Sequence, residues 1–260
     1  MLPSVQFCGL NVTRLILGAN PFGGFSHQNP QRDKEMVAYY TIARIRETWD
    51  RAEAAGINTM VTNNTTAHVL QAVREYRESG GALQWIAQTS FRRGQTMEAA
   101  IDEAVQIGCR AMFFHGALVD EAYVQKDEAK LGGWCDRARA AGVPAGVAGH
   151  SPEAHLWVDG LGIADFHAVC YFNCGSLHAG KGDKFSLRDM APAADCVRRI
   201  RKPCIAYKIM GAGRMDARMA FEYAFETIKP TDVVNVGMHR GDKDGMVEEN
   251  AALVREILGR

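Results

Sequence analysis

Eight short apolar runs, each followed by a stretch with helical spacing, constrain this chain more than any other feature. They are Arg14–Ala19, Thr59–Thr62, Trp85–Thr89, Ala111–His115, Ala145–Ala148, Phe166–Phe172, Cys204–Ile209 and Val233–Gly237. Continuous runs of this length read as strands of a parallel sheet buried on both faces. Between them, apolar residues recur at spacings of three and four, as in Ile42, Ile45, Trp49, Ala52 and Ala55, or Val69, Val73 and Tyr76. That is the stripe of a helix packed on a sheet. Gly56, Gly80–Gly81, Gly108 and Gly142 each follow a helical stretch as a C-cap would, and Pro144 and Pro203 open strands. Such β-α alternation fits either an open doubly wound sheet or a closed barrel. The count of eight and the length of 260 residues favour closure: an α/β fold, a TIM-type (β/α)8 barrel forming one domain over 1–260.

Charge and composition narrow the partners. Lys plus Arg equals Asp plus Glu at 30 each, and no basic stripe is visible, which argues against nucleic acid. The apolar runs fall far short of the ~20 residues that span a membrane. Met1–Gln6 lacks the basic region and long apolar stretch of a signal peptide. Seven cysteines are an odd number, and Cys109, Cys170 and Cys204 sit in or beside apolar runs with no CxxC pair. These features predict reduced, buried thiols in a cytoplasmic protein whose partner is a small molecule.

In a barrel of this kind the site lies at the C-terminal strand ends. Read in order, those ends carry Asn20, then Asn63 and Asn64, Gln88, His115, His150, Tyr171 with Asn173, Lys208 and His239. Amides and imidazoles supply donors and acceptors together, which suits a polyhydroxylated or carbonyl substrate. His115 and His150 end adjacent strands and are candidates for proton transfer near neutral pH. Lys208 closes an apolar run and is a candidate cation, or imine-forming amine, beside a substrate oxygen. Gly211, Gly213 and Arg214 precede a helix expected near Met215 and are candidates for binding an anion through backbone N–H groups. Three long connections, 20–34, 116–130 and 174–186, are expected to overhang the mouth, with His27 in the first able to close over the site. His155, His167 and His178 read as structural or exposed. Several histidines at one mouth are compatible with a divalent metal, although no Asp or Glu ends a strand and HxH and HExxH spacings are absent.

The chain also resembles the aldo-keto reductase superfamily. Cys8–Asn20 looks like that family's opening hairpin and first barrel strand, which implies a hairpin-like segment over 4–14. Gly56-Ile57-Asn58 is similar to its second-strand approach, Phe172-Asn173 to the tyrosine-asparagine ending strand six, and Ala206–Gly213 to the segment that holds cofactor phosphates. Val236-Gly237 and Glu248-Glu249-Asn250 resemble its last strand and helix. The resemblance implies the same barrel and a histidine at His115. It also exposes a loss. The family's aspartate position holds Val61, no tyrosine stands near Thr65 or Thr66, and Gln88-Thr89 replaces the lysine. Gly149-His150 replaces the serine-asparagine pair, and the basic cluster after the last strand is reduced to Arg240 and Lys243.

These readings converge on a small-molecule enzyme whose redox residues are gone. The expected chemistry is acid–base: a lyase, hydratase or isomerase acting on a carbohydrate-like or keto-sugar substrate. His115 and His150 would move protons, Lys208 would hold the substrate oxygen, and Asn20, Asn63, Asn64 and Asn173 would orient hydroxyls. Two alternatives stay open: an atypical NAD(P)H-dependent oxidoreductase, disfavoured by the missing tyrosine, and a non-catalytic sugar or nucleotide sensor.

Overall fold

The computed structural model describes residues 1–174 and 184–259. His178 and most of the 174–186 connection lie outside them. A hairpin, β1 (Ser4–Phe7) and β2 (Leu10–Thr13), precedes eight strands: β3 (Leu15–Gly18), β4 (Thr59–Asn63), β5 (Gln84–Thr89), β6 (Ala111–Phe114), β7 (Ala145–Gly149), β8 (Phe166–Cys170), β9 (Cys204–Tyr207) and β10 (Val233–Gly237). These eight pair in parallel, each with its sequence neighbour, and β10 pairs with β3 to close the barrel. Every predicted run overlaps one of them, and β4, β5 and β7 each extend one residue beyond theirs. The helices are α1 (Pro30–Tyr39), α2 (Ile42–Ala54), α3 (Ala67–Glu78), α4 (Met97–Ile107), α5 (Gly116–Gln125), α6 (Glu128–Ala140), α7 (Pro152–Leu161), α8 (Met190–Arg199), α9 (Ala217–Thr227) and α10 (Met246–Leu258).

Two cores follow from the period-two alternation of the strands. Leu15, Met60, Trp85, Met112, Val147 and Val234 belong to the core that includes the helix faces, while Ile16, Val61, Ile86, Phe113, Ala148 and Ile205 form a second, inner cluster. The hairpin joins the inner cluster through Phe7, Leu10 and Val12, and Phe7 meets Phe166 edge-on at 5.1 Å. Phe166 and Val233 begin their strands, so the hairpin plugs the barrel at its N-terminal end. Asn58 and Gln84, at the starts of β4 and β5, fasten it by donating to the Asn11 carbonyl. Polar side chains are thereby left for the opposite end.

Two of the three expected long connections are largely helical. Residues 20–34 contain a 3-10 turn, Asn20–Gly23, and the start of α1, whose Asn29 cap accepts from the Arg32 amide with Pro30 in the first turn. This helix buries only Met36, so it shows no apolar stripe in the sequence. Residues 116–130 hold α5 and the start of α6. The helix expected near Met215 begins at Ala217, because the Asp216 side chain caps it by accepting from the Met219 amide. Among the described residues no helix is long and apolar enough to cross a membrane. All seven cysteines are free, and all but Cys8 are buried.

Candidate active site

One step past the inner cluster, the same alternation brings Asn63 (β4), Gln88 (β5), His115 (after β6), His150 (after β7) and Tyr207 (β9) to the barrel mouth. Together with Asn20, His27 and Lys208 they line a cavity of about 360 Å³. Alternation also explains which predicted residues stay out of it. Asn64 points away from the cavity and clamps Ser90, donating to its carbonyl at 2.9 Å and accepting from its amide at 2.9 Å. Tyr171 is fully buried against α9, its hydroxyl 2.9 Å from Thr227 Oγ1. Asn173 lines neither cavity at the mouth, and its amide N–H donates to Asp189. None of the three lines either cavity.

The two predicted histidines are held in different ways. His115 is the N-cap of α5, and its Nδ1 accepts from the Ala117 amide at 3.2 Å. A neutral His115 therefore carries its proton on Nε2. Burial, with His150 and Lys208 nearby, holds its pKa below the ordinary histidine value. His150 Nδ1 lies 2.8 Å from Asp120 Oδ2, and its backbone N–H donates to Asp120 Oδ1 at 3.2 Å. A carboxylate accepts only, so the His150 proton sits on Nδ1 and its lone pair on Nε2. Asp120 is 3% exposed and was not among the expected residues. Its signal was present: it lies on the buried face of α5 with Gly116 and Val119, where an acid needs a partner. Gly116 is required by the same contact, since a Cβ there would lie 2.8 Å from His150 Cε1 and 3.1 Å from Nδ1.

Lys208 donates to the Cys174 carbonyl at 3.3 Å. Its φ of 56° is left-handed, as are His27 at 55° and Ala212 at 60°. Among the described residues, three of the five non-glycine positions with positive φ thus stand at the mouth, and such strain concentrates where function fixes the backbone. His27 Nε2 lies 3.3 Å from Asn20 Nδ2. Burial first, then Lys208 and His150, push the His27 pKa down to about 3, so its imidazole stays neutral. The Ser26 hydroxyl and amide both donate to Asp33, which pins this loop to α1.

A second cavity of about 440 Å³ adjoins the first, and Asn20, Phe25, His27, Asn63, Tyr207 and Lys208 line both. His239 lines only this second one, stacked edge-on with Tyr39 at 5.3 Å, and so lies apart from His115 and His150. His155 and His167 are buried behind β7 and β8, with their Nδ1 atoms 3.1 Å apart. Among the described residues no group of three or more His, Cys, Asp or Glu is placed to hold a metal ion.

No family model and no curated protein matches the chain. Solved structures do. Two structures of Pseudomonas aeruginosa proteins assigned as aldo-keto reductases share 16% identity with TM-scores of 0.62 and 0.66, each match covering 98% of this chain and 94% of theirs. The barrel is aldo-keto-reductase-like. A dihydropteroate synthase from Yersinia pestis matches less well, at a TM-score of 0.56 and 10% identity over 99% of this chain and 98% of its own.

An aldo-keto-reductase-like barrel implies a nicotinamide dinucleotide, whose pyrophosphate needs backbone N–H groups or unpaired cations. Several of the groups expected to bind it are committed elsewhere. The Gly211 amide donates to the Lys208 carbonyl at 3.1 Å and the Arg214 amide to the Met210 carbonyl at 3.0 Å. The Arg214 guanidinium donates to the Gly211 carbonyl at 3.0 Å and approaches the His27 carbonyl. Gly213 lines the second cavity, whereas Gly211 and Arg214 do not. Asp216 already places a carboxylate at the start of α9. Arg32 is paired with Asp242, Lys243 with Glu249 at 2.6 Å, and Arg240 with Glu47 and Asp244 at 2.6 and 2.7 Å.

Proposed function

We propose that this chain is a small-molecule enzyme that moves a proton next to a carbonyl, as an isomerase or lyase of carbohydrate-like substrates. The observation that carries the reading is the buried Asp120 carboxylate, 2.8 Å from His150 Nδ1. A carboxylate behind an imidazole fixes the tautomer and stabilises the imidazolium that forms when Nε2 takes a proton. His150 is the base. His115, neutral and protonated on Nε2, donates to the carbonyl oxygen as negative charge develops there. A neutral donor at a helix N-terminus suits an enolate, because its proton is strongly held. The Lys208 ammonium adds charge stabilisation at the same oxygen.

The proton inventory closes. His150 removes the proton from the carbon beside the carbonyl, and the C–H electron pair becomes the enediol double bond. The carbonyl oxygen takes density from its own π bond and is held by His115 and Lys208. The His150 imidazolium then returns the proton to the former carbonyl carbon, while the proton of the adjacent hydroxyl passes to the first oxygen and the new carbonyl forms, giving an isomer. For elimination, the enolate collapses and expels a β-hydroxyl, which takes the proton and leaves as water. Asn20, Asn63 and Gln88 are placed to pair with hydroxyls, and Phe25, 46% exposed at the junction of the cavities, offers a ring face to a sugar. Tyr207 is not an acid in this scheme, since burial pushes its phenol well above the ordinary value.

The test needs no prior substrate. The protein is incubated in D₂O with a panel of aldoses, ketoses and keto-sugars, and deuterium at the carbon next to the carbonyl is read by mass spectrometry. The reading expects uptake on at least one member, lost in His150→Ala and reduced about 10²–10⁴-fold in Asp120→Asn. Uptake that survives His150→Ala, or none across the panel, overturns it.

A further inference from the structure

We propose that the second cavity seats an apolar group of the substrate, so that the natural substrate is a conjugate: a sugar-like head joined to an aryl or alkyl group. The inference rests on the proposed function only for which end reacts. It stands on three observations of the second cavity itself.

The first is continuity. The two cavities meet at Asn20, His27 and Lys208, with Phe25, Asn63 and Tyr207 on both walls. A molecule whose carbonyl lies against His115 and Lys208 can extend past Phe25 into the second space. At about 440 Å³, that space lies in the range of small-molecule sites.

The second is wall chemistry. Met36 of α1, Met210 and Met215 of the loop after β9, and Met246 of α10 all line it, together with Ile209 and Val236. Four methionines from three segments make a soft, adaptable, polarisable wall that favours aromatic and aliphatic groups.

The third is charge. The ionic groups at the rim are matched with one another: Arg32 with Asp242, and Lys243 with Glu249. All four residues line the cavity. At that rim a phosphate would meet two carboxylates and would have to break both pairs; Lys208, at the junction of the two cavities, is a further cation. An uncharged occupant leaves both pairs intact. Away from Lys208, the rim therefore favours apolar volume over a nucleotide's phosphates.

The test uses phenyl β-glucoside, glucose, phenol and NADPH as probes of the intact protein labelled with ¹³C at its methionine methyls. Phenyl β-glucoside and phenol are expected to shift the Met36, Met210, Met215 and Met246 methyls, and glucose to leave them in place. By calorimetry the glucoside should bind about tenfold or more tightly than glucose. Met210→Asp and Met215→Asp, at partly exposed positions, should each remove that advantage while the melting temperature holds. A glucoside no tighter than glucose, or no binding of either, overturns the proposal. So does NADPH that shifts the same methyls and displaces the glucoside, which would assign the space to a nucleotide. Deuterium uptake on free sugars is read separately. Its loss with intact glucoside binding sinks the acid–base reading alone, and its presence without a glucoside advantage sinks this one alone.

Discussion

His115 and His150 line one cavity with the same ring atom committed in opposite senses: Nδ1 of His115 accepts from the Ala117 amide, and Nδ1 of His150 faces the Asp120 carboxylate. The first arrangement leaves a proton on Nε2 and the second a lone pair. In the proposed reaction, two residues of one type thus serve as donor and base through the groups behind them, with no difference in the residues themselves.

The donor role of His115 makes a specific prediction. A neutral donor is replaceable by an amide, and a proton-transferring acid is not. His115→Gln should therefore retain about tenfold more exchange activity than His115→Ala, which should lose about 10²–10⁴-fold. Rates of α-deuterium exchange for the two variants, with circular dichroism to confirm folding, decide the matter. Equal losses in both would show that His115 gives up its proton.

Gly116 tests the geometry of the base without touching a titratable group. The Cβ of alanine there meets the His150 ring at 2.8 Å, and the ring cannot retreat without leaving Asp120. Gly116→Ala should lower turnover at least about tenfold by misplacing the ring. Gly132 in α6 is the control: no atom lies within 4 Å of its would-be Cβ. Gly132→Ala should keep full activity and add about 0.5–1 kcal/mol of stability. Wild-type activity in Gly116→Ala would show that the Asp120–His150 pair tolerates displacement.

The barrel was legible because parallel strands buried on both faces are written as unbroken apolar runs, and none of the eight was missed. His115, His150 and Lys208 were legible because each ends such a run. Asp120 was not, because α5 reads Gly-Ala-Leu-Val-Asp-Glu-Ala-Tyr-Val-Gln, apolar without a clean stripe, and was taken for part of a loop. Asn64 and Tyr171 were over-assigned for a related reason. A strand end offers two neighbouring side chains, and only register decides which faces the interior: Asn63 does, and Asn64 turns to Ser90. Arg240 shows that a cation beside a site is not thereby part of it, since burial and two carboxylates bind it into the α2–α10 seam.

Acid should unfold this protein earlier than its carboxylates alone would. His155 and His167 are 1% and 0% exposed. Burial lowers the first to about 4 and the second well below its ordinary value. The unfolded chain binds these protons near pH 6.5, and the folded one does not until much lower. The unfolded state thus holds more protons as the pH falls below 6.5, and stability drops. Each histidine contributes a slope of up to about 1.4 kcal/mol per pH unit down to its folded value. Urea denaturation at pH 8, 7, 6 and 5 should show a plateau above pH 7 and a steepening loss below 6.5. His155→Phe should flatten part of that slope. A flat profile from pH 7 to 5 would mean that the pair is already protonated or reached by water.

Lys208 distinguishes two chemistries that share a site. A neutral amine could form an imine with a keto substrate, expelling water and making the lysine nitrogen covalent. A charged ammonium would instead hold the substrate oxygen. The bond from Lys208 to the Cys174 carbonyl favours the second, because it fixes the direction of the side chain as a hydrogen-bond donor. Both roles predict a large loss in Lys208→Ala, so activity alone cannot separate them. Borohydride can, because it reduces an imine to a permanent secondary amine and leaves an ion pair untouched. Treated with borohydride in the presence of whichever sugar exchanges deuterium, the intact protein should keep its mass. A substrate-sized adduct mapped to Lys208 would reverse the assignment, making Lys208 the nucleophile that forms the imine and His150 the base acting on it.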